Sequence, residues 1–273
     1  MKFPKKNTLG FALYAVVITG VFLYLLFPSE IVQSRLEEAA GTAGLAVKME
    51  SLRPAFPLGL KFKNLHVASR STGRKYLDGE WLDLQISPLS FVQKNKKINL
   101  SGKAYGGKFS GDLRLASWDK MASPTAAQMK FDDVDLARVS FIRDALGRAI
   151  AGKASGRWAH KASEISGSNL SAACDLLLKK GSFPLQEPFL GADRIDFDNG
   201  EIKAKLQNGV LRVEKLHIIG PQMECSLSGD ITLTDEFRQS ALNLKGEMIL
   251  SSNKARLNVT IGGTLDNPLL RYL

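Results

Sequence analysis

The chain has 273 residues, 44% hydrophobic, 23% charged and 8% aromatic, a globular balance that excludes a disordered or collagen-like polymer. Its net charge is +10, yet the densest basic run, QKNKK with Lys94, Lys96 and Lys97, has no interleaved aromatic residues on which bases would stack. A solvated basic loop near anionic headgroups is expected there, and nucleic acid is not expected as a partner.

The first segment, MKFPKK, carries Lys2, Lys5 and Lys6 and no acid, and Leu9 to Phe27 follows as 19 residues without a charge. At 1.5 Å per residue this run spans roughly 28 Å, close to the ~30 Å hydrocarbon core of a bilayer. The residues after it, Phe27-Pro28-Ser29-Glu30, hold no small-x-small cleavage site, so an uncleaved signal anchor is expected. Residues 1–27 are then a cytoplasmic tip and a single transmembrane helix. The positive-inside rule places residues 28–273 outside the cytoplasm.

A first β portion, residues 28–117, opens on a juxtamembrane helix in SEIVQSRLEEAAGTAG, with Ser29 as N-cap and Gly41 or Gly44 as its stop. From Leu45 strand-length runs alternate with Pro, Gly, Ser and Thr clusters, and Tyr105-Gly106-Gly107 marks a hairpin. The stretch 118–128, WDKMASPTAAQ, has no period and reads as a boundary. In the second portion, residues 129–273, a helix is expected after FDDVDL, where Val139, Ile142, Leu146, Ala149 and Ile150 recur at helical spacing before Gly152.

The last third alternates with period two. Asn199-Gly200 and Asn208-Gly209 are hairpin signals and Gly220-Pro221 is a breaker. Leu242, Leu244, Met248 and Leu250 fall on one face, as do Ala255, Leu257, Val259 and Ile261, the pattern of an antiparallel sheet with one wet side. The chain's last residues, IGGTLDNPLLRYL, read as one more hairpin with Leu265 to Leu270 as final strand and Leu265 or Leu269 packed. An apolar residue followed by Ser-Gly recurs at Leu100, Phe109, Ala154, Ile165 and Leu227, one kind of strand reused with its glycine at a bulge or bend.

The fold class is therefore mainly β: an N-terminal transmembrane helix, then an antiparallel sheet, free to curl, with two short helices. Chemistry is sparse. His66, His160 and His217 form no ligand-spaced pair, and no nucleophile, phosphate-loop or zinc pattern occurs. Asp132, Asp133 and Asp135 suit the start of the helix that follows. Cys174 and Cys225 share the apolar parity of their strands, and either a disulfide or two buried thiols fits. No catalytic, metal or cofactor-binding residue is expected, and the chain does not read as an enzyme.

LRPAFPLGLKFKNL (52–65), SPLSF (87–91), FDDVDLARV with its helix and GKASGRW, the run FDNGEIKAKLQNGVLRVEKLHIIG…SLSGDITL, and the GTLDNP ending occur in the order that resembles type II secretion system protein N. The form it resembles is that of Gram-negative bacteria such as the deltaproteobacterial lineage. The VDL-helix-Gly unit and the GTLDNP ending also resemble AsmA-like envelope proteins, a group associated with lipid movement through apolar β-grooves. The resemblance implies an accessory, non-catalytic component of general protein secretion. It would be anchored in the inner membrane and face the periplasm, with other secretion subunits and phospholipid as partners. The short, alternating final strands look like those of a closed sheet, so a filled core in an assembly component is expected, with an open lipid trough as the alternative.

Overall fold

The computed structural model describes residues 6–91, 93, 96–118, 124–162, 170–189 and 192–272. Lys2, Lys5, Lys94 and the Ser-Gly copy at 165–167 lie outside them. Helix α1 (Lys6–Leu25) and helix α2 (Ser29–Thr42) lead into a single antiparallel sheet, with a third helix, α3 (Ser140–Leu146), inserted midway. The strands are β1 (Leu45–Lys48), β2 (Ser51–Ala55), β3 (Gly59–Ser69), β4 (Lys75–Ile86), β5 (Lys96–Ala104), β6 (Gly107–Leu115), β7 (Ala126–Asp135) and β8 (Ala151–Ala162). They continue as β9 (Leu170–Phe189), β10 (Ala192–Gln207), β11 (Val210–Ile219), β12 (Met223–Thr232), β13 (Ala241–Leu250), β14 (Arg256–Gly263) and β15 (Pro268–Tyr272). From β3 onward each strand pairs with its sequence neighbours, while β1 and β2 pair with the two halves of β3 as one interrupted edge. The sheet does not close, because β15 pairs only with β14.

Local chemistry explains the turns. Tyr105-Gly106 (φ 54° and 76°) and Asn208-Gly209 (φ 51° and 76°) are left-handed pairs that match the strand twist, as two-residue hairpins require. Asn199-Gly200 is not a turn, contrary to expectation. It lies inside β10, paired with Lys179 and Leu178 on one side and with Ile219 and Ile218 on the other. The helix expected to reach Gly152 stops at Leu146, because Gly147 adopts the left-handed C-cap conformation (φ 70°). Pro28, not Ser29, occupies the N-cap of α2. The stretch 118–128 does not break the sheet: β6 and β7 pair from Lys108↔Asp132 to Arg114↔Ala126. The final strand is Pro268–Tyr272, so Leu265 instead belongs to the preceding turn, its N–H donating to the Ser240 carbonyl at 3.1 Å. Leu265 is half-buried there, whereas Leu269 is 51% exposed and so not packed.

Taken over the residues described in full, no helix is long and apolar enough to cross a membrane. The backbone of α1 is nevertheless a continuous 20-residue helix, several of whose side chains lie outside that description.

The sheet is coiled. α3 packs against β4 and also against the 3-10 turn Phe237–Gln239 that follows β12. Those contacts lie eight strands apart and, in a meander, at opposite ends of their strands. A flat sheet would hold them on the order of 40 Å apart. Only a sheet that winds round can bring both to one seven-residue helix. Ser140 Oγ donates to the Lys75 carbonyl at 2.7 Å, Arg74 pairs with Asp144 at 3.1 Å, and the Arg238 guanidinium lies against Gly147 while pairing with Asp266 at 3.4 Å. Arg238 thus meets the carbonyl end of α3, where a cation is favoured. Removing this cation with Arg238→Ala is expected to leave the strands paired but speed amide hydrogen exchange in residues 140–148, which exchange mass spectrometry would read. Exchange unchanged there would show that α3 is held without it.

The accessible surface is 18,093 Å². A compact monomer of this mass would expose about 11,600 Å². The excess combines the exposed helix α1 with an unclosed sheet whose large apolar side chains in the middle strands are only half-buried.

Candidate functional site: an open apolar face

Strand register turns the period-two alternation into continuous rows. One row starts Leu52, Phe62, Leu82, Gly102, Phe109, Phe131, each residue paired with the next across neighbouring strands. It continues Gly156, Leu176, Ile202, Leu216, Leu227 and ends Gly246, Val259, Tyr272 on β13 to β15. The next row passes through Leu60, Leu84, Leu100, Gly111, Met129 and Trp158. It goes on through Cys174, Ala204, Val213, Gly229, Leu244, Ile261 and Leu270. No polar side chain interrupts either row. At ~4.8 Å per strand the face extends on the order of 60 Å along the sheet.

The Ser-Gly repeat has its explanation here. The glycines sit in these rows with a large apolar residue on each side: Leu100–Gly111–Met129, Phe131–Gly156–Leu176 and Val213–Gly229–Leu244. A Cβ at Gly111 would overlap the Gln128 carbonyl oxygen, and one at Gly246 the Ser226 carbonyl oxygen. Glycine therefore allows the close backbone approach that coiling requires, and its neighbours' side chains cover the gap. The serine beside it points to the other face.

Packing differs along the rows. Met49, Leu52, Phe62 and Leu65 form a buried cluster at the N-terminal end, partly covered by Phe27 and Val32. Met223, Cys225, Leu227, Met248 and Val259 form another at the C-terminal end. Between them, Ile98, Leu115, Ala127, Ala204 and Val213 are buried, whereas the larger side chains Leu100, Phe109, Met129, Phe131, Leu176 and Ile202 are only half-buried and Trp158 is 38% exposed. His160 stacks on Trp158 at 6.0 Å, and its Nδ1 lies 3.2 Å from the Ser171 carbonyl.

The opposite face is charged and paired across strands: Lys103–Glu80 at 2.7 Å, Lys205–Glu214 at 2.6 Å, Arg212–Asp230 at 3.0 Å. Such exposed pairs contribute about 0–1 kcal/mol each. Hydrogen bonds from Lys215 and Lys203 hold the Glu201 carboxyl at about 2. Trp81 and Leu177 break this polarity, 43% and 53% exposed on the charged side.

The residues singled out for chemistry do not assemble. His66 pairs with Asp78 at 2.9 Å and His217 accepts or donates to Ser226 Oγ at 2.7 Å, on different strands. Asp135 Oδ1 accepts from Ala137 N–H, Asp132 accepts from Ser155 Oγ, and Asp133 takes a left-handed φ of 53° at a register shift. Among the described residues no group of three His, Cys, Asp or Glu is placed to hold a metal ion. Cys174 and Cys225 are free thiols. Burial pushes the Cys225 thiol up to about 11 and raises that of Cys174 as well. Both are therefore expected to react slowly with maleimide at pH 7 and rapidly in denaturant. Fast labelling of Cys225 in the folded chain would contradict its burial.

No known family, curated protein or solved structure matches the chain.

Proposed function

We propose that this chain is a membrane-anchored, non-catalytic protein that holds lipid acyl chains along the apolar face of its coiled sheet. The observation that carries this is the uninterrupted apolar rows, whose large side chains Leu100, Phe109, Met129, Phe131, Leu176 and Ile202 are only half-buried over the middle strands. Each methylene buried there is worth about 0.8 kcal/mol, so ten of them would gain roughly 8 kcal/mol. Anchoring is supported by α1: Phe11, Tyr14, Phe22, Tyr24 and Leu25 are each more than half exposed, a surround that water does not favour. The lysines before it, with none of the opposite charge, put its N-terminus in the cytoplasm of a single-pass inner-membrane protein and the sheet in the periplasm.

A photoreactive amino acid placed at Leu176 or Ile202 in the full chain tests this in cells. Phospholipid adducts are expected from both positions and not from Lys203, which points the other way. Adducts to protein alone from Leu176 and Ile202 would overturn the lipid reading. A second reading, the accessory secretion component implied by the resemblance, is favoured by Trp81 and Leu177, large apolar side chains standing on a charged face. Protein adducts at Trp81 would support it, and the two roles are compatible.

A further inference from the structure

We propose that the apolar tips after β2, Phe56 and Leu58, and after β4, Leu89 and Phe91, form a membrane-docking edge that inserts into the same leaflet from which α1 emerges. The inference rests on the reading of α1 as a membrane span. In a meander both tips lie at one end of the strands. There the β2–β3 turn presents Phe56 at 87% exposure and Leu58 at 43%. The β4–β5 connection presents Leu89 at 64% and Phe91 at 58%. They form one edge, since Ile86 N–H donates to the Leu58 carbonyl at 2.8 Å and the Phe91 ring meets Trp118, after β6, at 5.6 Å.

The course of α2 brings this edge to the bilayer. Its C-terminal end is held at the other end of the strands, where Arg70 N–H, in the β3–β4 turn, donates to the Gly44 carbonyl at 2.9 Å. α2 then runs back beside β1 and β2, with Gln33 donating to the Met49 carbonyl at 3.2 Å and Phe27 and Val32 packed on the cluster around Leu52. Phe27, where the apolar run of α1 ends, is thus set toward the end that carries Phe56 and Leu58.

The sequence of the two loop regions suits a lipid headgroup layer. Residues 51–63 and 86–100 contain no acid; Lys61, Lys63 and Lys97 pair with Asp83, Glu50 and Asp112, and Arg53 and Lys96 lie in the same stretches as the apolar tips. Aromatic and aliphatic tips bind an interface chiefly through burial, and flanking cations add attraction to anionic headgroups. The β3–β4 turn at the opposite end, Arg70-Ser71-Thr72-Gly73-Arg74, has no apolar residue. Docking would set the half-buried row Ile86, Leu113 and its buried partner Ile98 directly behind the headgroups, where acyl chains would enter the face.

The test uses the full chain with Cys174→Ala and Cys225→Ala, carrying one of Phe56→Cys, Phe91→Cys or Ser71→Cys. Each is labelled with an environment-sensitive fluorophore and reconstituted into phosphatidylethanolamine–phosphatidylglycerol vesicles. Blue-shifted emission quenched by spin-labelled lipid is expected at Phe56→Cys and Phe91→Cys, with Ser71→Cys remaining aqueous. Aqueous emission at the two loop positions in a chain that resists carbonate extraction would overturn the docking edge alone. A chain that carbonate removes would overturn the membrane span and the docking edge together. Neither result touches the lipid adducts expected at Leu176.

Discussion

Val259→Asp is expected to unfold the C-terminal half of the sheet. Val259 is 2% exposed, sits between Gly246 and Tyr272 across its neighbouring strands, and packs within the cluster of Met223, Cys225, Leu227 and Met248. The residues packed in and against that cluster are all apolar, so an aspartate there would be a buried carboxylate at a cost of several kcal/mol. Marginal stabilities of about 5–15 kcal/mol leave little reserve against such a cost. Circular dichroism of the full chain in detergent would show the loss of strand signal, and limited proteolysis would cut within β12 to β15. The conservative variant Val259→Ala should remain folded. A cooperatively melting Val259→Asp chain would show that this end of the trough is open as well.

The strands and their inward parity were legible because period-two alternation is a local signal. Leu242, Leu244, Leu257, Val259 and Ile261 share one face for the reason their spacing gave. Asn208-Gly209 was legible as a hairpin for the same local reason, whereas the identical dipeptide at 199–200 was not. What decides Gly200 is Leu178 on the next strand, whose Cβ would stand 3.1 Å from any Cβ placed there. Tertiary packing of this kind leaves no trace in a dipeptide. The extent of α3 was missed because Ala149 and Ile150 continue its apolar spacing beyond the left-handed Gly147 that ends it.

Whether the apolar face is covered was the question the alternation left open. Burial parity is the same for a sandwich, a barrel and an open trough, since each hides one face from water. The difference lies in what stands opposite each row, a long-range property. It becomes visible in the half-buried middle residues and in the seven-residue helix that touches both β4 and the turn after β12. The Ser-Gly copies were the nearest thing to a sequence signal for the coil. Their irregular spacing matches their actual arrangement, glycines distributed over several strands of one winding sheet instead of a fixed repeat.

Leu176→Asp separates a trough from a filled core by its contrast with Val259→Asp. Leu176 lies in the same apolar row, between Gly156 and Ile202, but is only half-buried. An aspartate there keeps part of its hydration, so the expected loss is the packing of one partly covered side chain, about 1–2 kcal/mol and a few degrees in melting temperature. Its effect on bound lipid is larger. A carboxylate in the path of an acyl chain must be desolvated whenever that chain passes over it, and a penalty of only 1.4 kcal/mol already lowers occupancy about tenfold. Quantitative mass spectrometry of lipid crosslinked at Ile202 is therefore expected to fall about tenfold or more in the Leu176→Asp chain. Leu176→Phe, which keeps the row apolar, is expected to retain it. Unchanged crosslinking in a folded Leu176→Asp chain would mean that lipid at Ile202 does not pass over Leu176, and absent crosslinking with Leu176 intact would mean that no lipid occupies the middle of the face. The exposed rows would then have to be covered by another protein, with Trp81 and Leu177 on the far side as its companions.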